Sequence, residues 1–257
     1  MSSYPLVYST PLFAITLPFI PVPPLDDVFY WSFLVGLPIN AVAFVLYMKA
    51  IQISPLSLTV PYLSFTPVFM IFTGYLFLDE IPDMWGAVGV ATVCVGSYIL
   101  NFEPAGWSPL APLAAIFRET GSWIMLLVAF LFSFSAVLGK LSINHSSALF
   151  FSISFFLAFN LVILLVLFLF RYIRLKTFKT DRLKGLIAGL LFYLHVLFHG
   201  LAISIAKAVY MISVKRMSIL FSIVYGGFFF HEKNILIRFA GALLMFAGTV
   251  LIILKGG

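Results

Sequence analysis

The chain has 257 residues, of which 63% are hydrophobic and only 9% charged, with 30 Phe and a formal net charge of +6. Soluble domains average about 25% charged residues, so water is excluded as the main solvent and the bilayer takes its place. A lone cysteine, Cys94, rules out an intramolecular disulfide and leaves the redox compartment open.

A spanning helix needs roughly 20 apolar residues. By that measure about nine segments are expected, near 5–22, 28–51, 56–78, 84–101, 120–141, 148–170, 184–205, 208–230 and 236–254. The first is short, holds Pro11 and Pro18, and has no basic flank, which argues against a signal peptide. Helix 28–51 carries Pro38 and Asn40, and helix 56–78 carries Pro61, Tyr62, Thr66 and Pro67. Proline removes a backbone hydrogen bond and bends a helix, freeing a carbonyl that can meet a ligand. Bent helices around a cavity are therefore expected here. Stretch 101–117, with three Pro, reads as a linker. The connections are short, so no soluble domain is inserted. The positive charges sit mostly at the ends of apolar segments, as in the cluster Arg171, Arg174, Lys176, Lys179, Arg182 and Lys184. Membrane topology explains them, and nucleic acid is not an expected partner. Trp31, Trp85, Trp107 and Trp123 lie near helix ends, as an interfacial belt requires.

One pattern occurs twice. Glu80, Gly89 and Gly96 are repeated as Glu232, Gly241 and Gly248, an offset of 152 each time (232−80, 241−89, 248−96). Gly74 with Gly226 and Ala50 with Ala202 extend the match. Equivalent loops of the two copies carry opposite charge: Asp26 and Asp27 against the basic cluster, and Asp79, Glu80 and Asp83 against Lys233 and Arg238. Lys and Arg favour the cytoplasmic side, so equivalent loops are expected on opposite sides of the membrane. That makes the chain an inverted repeat about an axis in the membrane plane. The expected organisation is a first repeat over 1–105, a linker over 106–118 and a second repeat over 119–257, the first lacking its opening helix. The charge count places the 171–184 loop in the cytoplasm, with the N-terminus inside and the C-terminus outside.

Residues 47–103, with Pro-Leu-Ser-Leu, then Thr66-Pro67-Val68, an apolar run, the Glu and two spaced Gly, resemble the EamA-type branch of the drug/metabolite transporter superfamily. Residues 202–254 resemble a second copy of that domain. The resemblance implies an all-α integral membrane protein, an inverted-repeat helical bundle of about nine transmembrane helices where the family has ten, around a central cavity. It also implies carriage of small organic solutes, often outward, and places both termini in the cytoplasm, against the charge count.

Lys215 and Arg216 are the sharpest candidates for substrate binding. They stand about 12 Å into a helix beginning near 208. Two cations at a helix centre cost about 5–7 kcal/mol together. Facing a watery cavity and an anionic substrate group would offset that. The structural alternative is snorkelling, or pairing with helix C-terminal carbonyls. As sequence neighbours they point about 100° apart and should not share one role. His195 and His199, one turn apart, can line a cavity, carry a proton, or form an ordinary interhelical pair; their spacing also allows a metal, though no Cys or acidic ligand is near in sequence. Asn40, Tyr62 and Thr66 are the remaining candidates for substrate contact. Glu80 and Glu232 read as helix caps rather than proton carriers, and the four repeated glycines as packing residues.

The leading functional reading is a secondary transporter in the cell membrane for an amino acid or another anionic or zwitterionic metabolite, working by alternating access. No P-loop is present to couple it to ATP. Its partners are the small-molecule substrate and the lipid bilayer; no cofactor, metal or catalytic residue is expected, and a homodimer stays open. The alternatives are a non-transporting scaffold or receptor and, with less support, an intramembrane enzyme.

Overall fold

The computed structural model describes residues 4–54, 60–100, 120–169, 182–217 and 235–256. These contain nine α-helices and no strand: α1 (Tyr4–Thr16), α2 (Asp27–Ile53), α3 (Thr66–Leu78), α4 (Met84–Leu100), α5 (Thr120–Asn144), α6 (Ala148–Leu169), α7 (Arg182–Ile205), α8 (Ala208–Lys215) and α9 (Ile235–Lys255). Four of them, α2, α5, α6 and α7, are long and apolar enough to cross a membrane. Large apolar side chains stand outward in number, among them Leu183, Ile187, Leu191 and Phe198 on α7. In water such a surface would aggregate; against lipid tails it is matched. Trp31, Trp85 and Trp123 are exposed.

Two expected helices are broken. The described part of segment 56–78 is a 3-10 turn over Val60–Phe65 followed by α3, which starts at Thr66. Pro67 occupies the second position of α3, where its missing N–H removes no helical bond. Segment 208–230 is helical only to Lys215 among the described residues, passing into a turn at Arg216 and Met217. With the offset of 152, the turn at Arg216 and Met217 corresponds to 64–65, the end of the 3-10 turn before α3. By contrast α2 runs unbroken through Pro38. The remaining expected segments form helices, the first shortened to α1 and a 3-10 turn over Leu17–Phe19.

The chain divides into two compact units, Met1–Ala41 with Leu138–Ile205, and Val42–Val137 with Ala206–Gly257. Each unit takes elements from both sequence repeats. In the first, α1 packs on α6 and α7 through Phe13, Ile153 and Val196. The fully buried Asn160 on α6 donates through Nδ2 to Leu6 O at 3.3 Å and Ser9 Oγ at 3.0 Å on α1. Phe29 and Phe33 of α2 meet Phe150 and Phe155 of α6. The hydroxyls of Ser32 and Ser142 bond at 2.7 Å.

In the second unit α4 lies along α9. A Cβ built on Gly89 would stand 2.9 Å from Gly248 O, and one on Gly96 would stand 2.7 Å from Gly241 O. The reverse also holds, with Gly248 meeting Gly89 O at 2.7 Å. The early glycine of α4 meets the late glycine of α9, and the late meets the early, so the helices are antiparallel. Gly89 is the repeat equivalent of Gly241, and Gly96 of Gly248. Each helix thus packs against its own repeat partner with contacts exchanged about a two-fold, the relation an isologous pair shows. An antiparallel partner is what an inverted repeat requires. A second cluster packs Ala50, Tyr62, Ile124, Met125 and Val128.

Candidate functional site

The helix breaks converge in the second unit. Arg216 follows the last residue of α8, and its guanidinium Nη2 donates to Thr66 Oγ1 at 3.0 Å. Thr66 is the first residue of α3, is 2% exposed, and donates its own hydroxyl to Leu63 O at 2.8 Å. One field favours the charge placed there: the C-terminal end of α8 carries negative partial charge, which suits the cation beside it. The N-terminal end of α3 carries positive partial charge, which opposes the guanidinium and suits an anion. The guanidinium Nε is buried and has no hydrogen-bond partner among the described residues. A donor of this kind calls for an acceptor that the described residues do not supply.

The turn between α3 and α4 holds α8 in place. Asp79 ends α3 in the left-handed region at φ 56°, and the next N–H, that of Glu80, returns to Gly74 O at 3.2 Å. An aspartate tolerates that conformation better than most residues. The Glu80 carboxylate accepts from the N–H of Ala208, the first residue of α8, at 2.7 Å. Asp83 accepts from Gly86 N at 3.0 Å, capping α4, and from the Tyr210 hydroxyl at 2.6 Å. The Tyr210 hydrogen bond, with the N–H of Gly86, holds the Asp83 carboxyl below the usual carboxylate range. Glu80 therefore acts as a cap, but on a helix of the other sequence repeat. In the first unit Asp26 caps α2 by accepting from Phe29 N at 2.9 Å, and pairs with His145 Nδ1 at 2.6 Å. Those two partners lower its carboxyl, the backbone bond most.

The candidate residues read from the sequence are distributed as follows. Arg216 and Thr66 come together directly. Lys215, the last residue of α8, is exposed. Tyr62 is fully buried in the apolar cluster with Ala50 and Met125, its hydroxyl bonded to Ser122. His195 and His199 stack in the first unit with ring centroids 6.1 Å apart, the first exposed and the second half-buried. Asn40 is half-buried on α2. Glu232 and the basic cluster apart from Arg182 and Lys184 lie outside the described residues. Two further polar groups join these: Asn160, whose Oδ1 is buried without a partner among the described residues, and Thr249, whose Oγ1 is in the same state. For Thr249 a signal existed: it is the repeat equivalent of Ser97.

An all-α arrangement with an antiparallel repeat pair and many outward apolar side chains defines the class: an integral membrane protein built on an inverted repeat. Residues 1–102 match the EamA-like transporter family, which agrees with the resemblance read from the sequence. The match covers 102 of the 257 residues, and that stretch is similar to membrane transporters of the drug/metabolite transporter superfamily. A search of curated proteins found no match.

Proposed function

We propose that the chain is a secondary transporter of the cell membrane that moves a small anionic or zwitterionic organic solute by alternating access, with Arg216 receiving the solute's carboxylate. The supporting observation is the geometry at the two helix breaks. Inverted-repeat carriers bind solute near the midplane, where interrupted helices turn their ends toward it. Here a guanidinium on one interrupted segment touches the first residue of the helix on the other, and one of its donors lacks an acceptor. A cation buried in a bilayer must be compensated. The α8 terminus and Thr66 do part of that, and the substrate does the rest. Cationic solutes are disfavoured at such a site.

The test is counterflow in proteoliposomes with labelled amino acids and organic acids, comparing wild type, Arg216→Lys and Arg216→Ala. The alanine variant loses saturable exchange of the anionic solute. The lysine variant keeps part of it, because it retains the charge but not the planar fork of donors. Exchange untouched in the alanine variant would remove Arg216 from the site.

A further inference from the structure

The two repeats differ at one buried polar pair. In the first, the hydroxyls of Ser64 and Ser97 bond at 2.6 Å, with both residues buried. Ser64 lies in the 3-10 turn before α3, and Ser97 on α4. Adding 152 to each gives Arg216 and Thr249. Arg216 follows α8, and Thr249 lies on α9, which α8 touches. The glycine contacts of α4 with α9 show that the two-fold relation between repeats holds in this part of the unit. Arg216 and Thr249 therefore stand where the first repeat has a closed hydrogen bond.

In the second repeat that bond is not made. Arg216 turns Nη2 to Thr66 and leaves Nε buried without a partner, and Thr249 Oγ1, on a side chain 6% exposed, is also buried without a partner among the described residues. Leaving either group desolvated and unpaired is unfavourable, and two such groups at equivalent sites of a bonded pair point to a shared missing partner. Both can donate, Nε through its N–H and Thr249 through its hydroxyl. An ionised carboxylate accepts only, and has two oxygens to offer. An ammonium offers no acceptor.

We propose that Arg216 and Thr249 together form a two-point site for a single carboxylate, one oxygen taking the Nε–H and the other the Thr249 hydroxyl. This rests on the reading of Arg216 as the substrate-binding cation and adds Thr249 as its second donor and the monocarboxylate as the substrate's recognised group.

Acetate, with its neutral isostere acetamide, is the probe, and the readout is thermal stabilisation of the purified full chain in detergent, against chloride at matched ionic strength. Acetate stabilises wild type and Thr249→Ser, and acetamide stabilises neither. Thr249→Val, which keeps the volume and removes the hydroxyl, weakens the apparent acetate affinity by about tenfold, the effect of one charge-assisted hydrogen bond. Thr249→Ala repeats the measurement should the valine variant melt early without ligand. Loss of the acetate effect in Arg216→Ala but full retention in both Thr249 variants would overturn the two-point site and leave the Arg216 reading standing. No difference between acetate and acetamide in wild type would overturn both.

Discussion

The antiparallel pairing of α4 with α9 makes a sharp prediction at Gly96. A Cβ there would sit 2.7 Å from Gly241 O, 2.7 Å from Met245 N and 2.8 Å from Met245 Cγ, whereas ordinary contact begins at 3.4 Å. The helices must part locally by about 0.7 Å (3.4−2.7), because two of the three obstructing atoms are backbone and no rotamer change moves them. Overpacking of this kind costs about 1–3 kcal/mol. Alanine also gains helix propensity over glycine, about 1 kcal/mol, which would mask part of the loss. Gly74→Ala cancels that gain: it lies inside α3, and its Cβ would meet nothing nearer than Glu80 O at 3.7 Å. The difference between the two variants is therefore the clash itself. At about 2–4 °C per kcal/mol for a chain near this size, Gly96→Ala melts roughly 2–12 °C below Gly74→Ala. Thermal unfolding in detergent, followed by the near-ultraviolet signal, measures it. A Gly96→Ala variant that melts at or above Gly74→Ala would refute the close contact, and with it the repeat-on-repeat pairing.

Two further predictions concern the polar turns. Glu80→Ala removes the cap on α8 and costs about 1 kcal/mol in thermal unfolding, while Glu80→Gln, which keeps an acceptor oxygen, loses less. Asp26 has its carboxyl lowered from 3.8 by Phe29 N and His145. Its contribution to stability is then complete above the unfolded value and is lost as pH falls through the lower folded value. Melting temperature should decline on acidification from about pH 5 to pH 2, and the part of that decline due to Asp26 should vanish in Asp26→Asn.

Much of the architecture was legible because it rests on local pattern. Apolar run lengths located the helices, and the 152-residue offset identified Gly89, Gly96, Gly241 and Gly248 as packing residues before any contact was known. The inversion was read from opposite loop charges and agrees with the antiparallel glycine contacts. The places where helices stop were harder. Pro38 and Pro67 are both prolines in apolar runs, yet α2 continues through one and α3 begins at the other. The outcome depends on tertiary contacts that can replace a lost backbone bond. The Arg216–Thr66 contact spans 150 residues and the Glu80–Ala208 cap 128, so neither shows in local sequence. The sequence marked Glu80 as a cap but not whose helix it caps. Tyr62 illustrates the opposite case: its place between two prolines pointed to a ligand, and the structure gives it an apolar cluster and Ser122 as partner. Thr249 was readable only through repeat arithmetic applied to a hydrogen bond that the fold had first to reveal.

The proposed function is carriage of a carboxylate-bearing solute across a membrane. The most direct measurement is counterflow by the purified full chain in proteoliposomes, with labelled monocarboxylates outside and the same unlabelled solutes inside. Saturable, transient accumulation of label that the matching neutral amide does not compete is the expected result. Flux no greater than in protein-free vesicles for every acid tried, from protein with an intact cooperative melt, would contradict it.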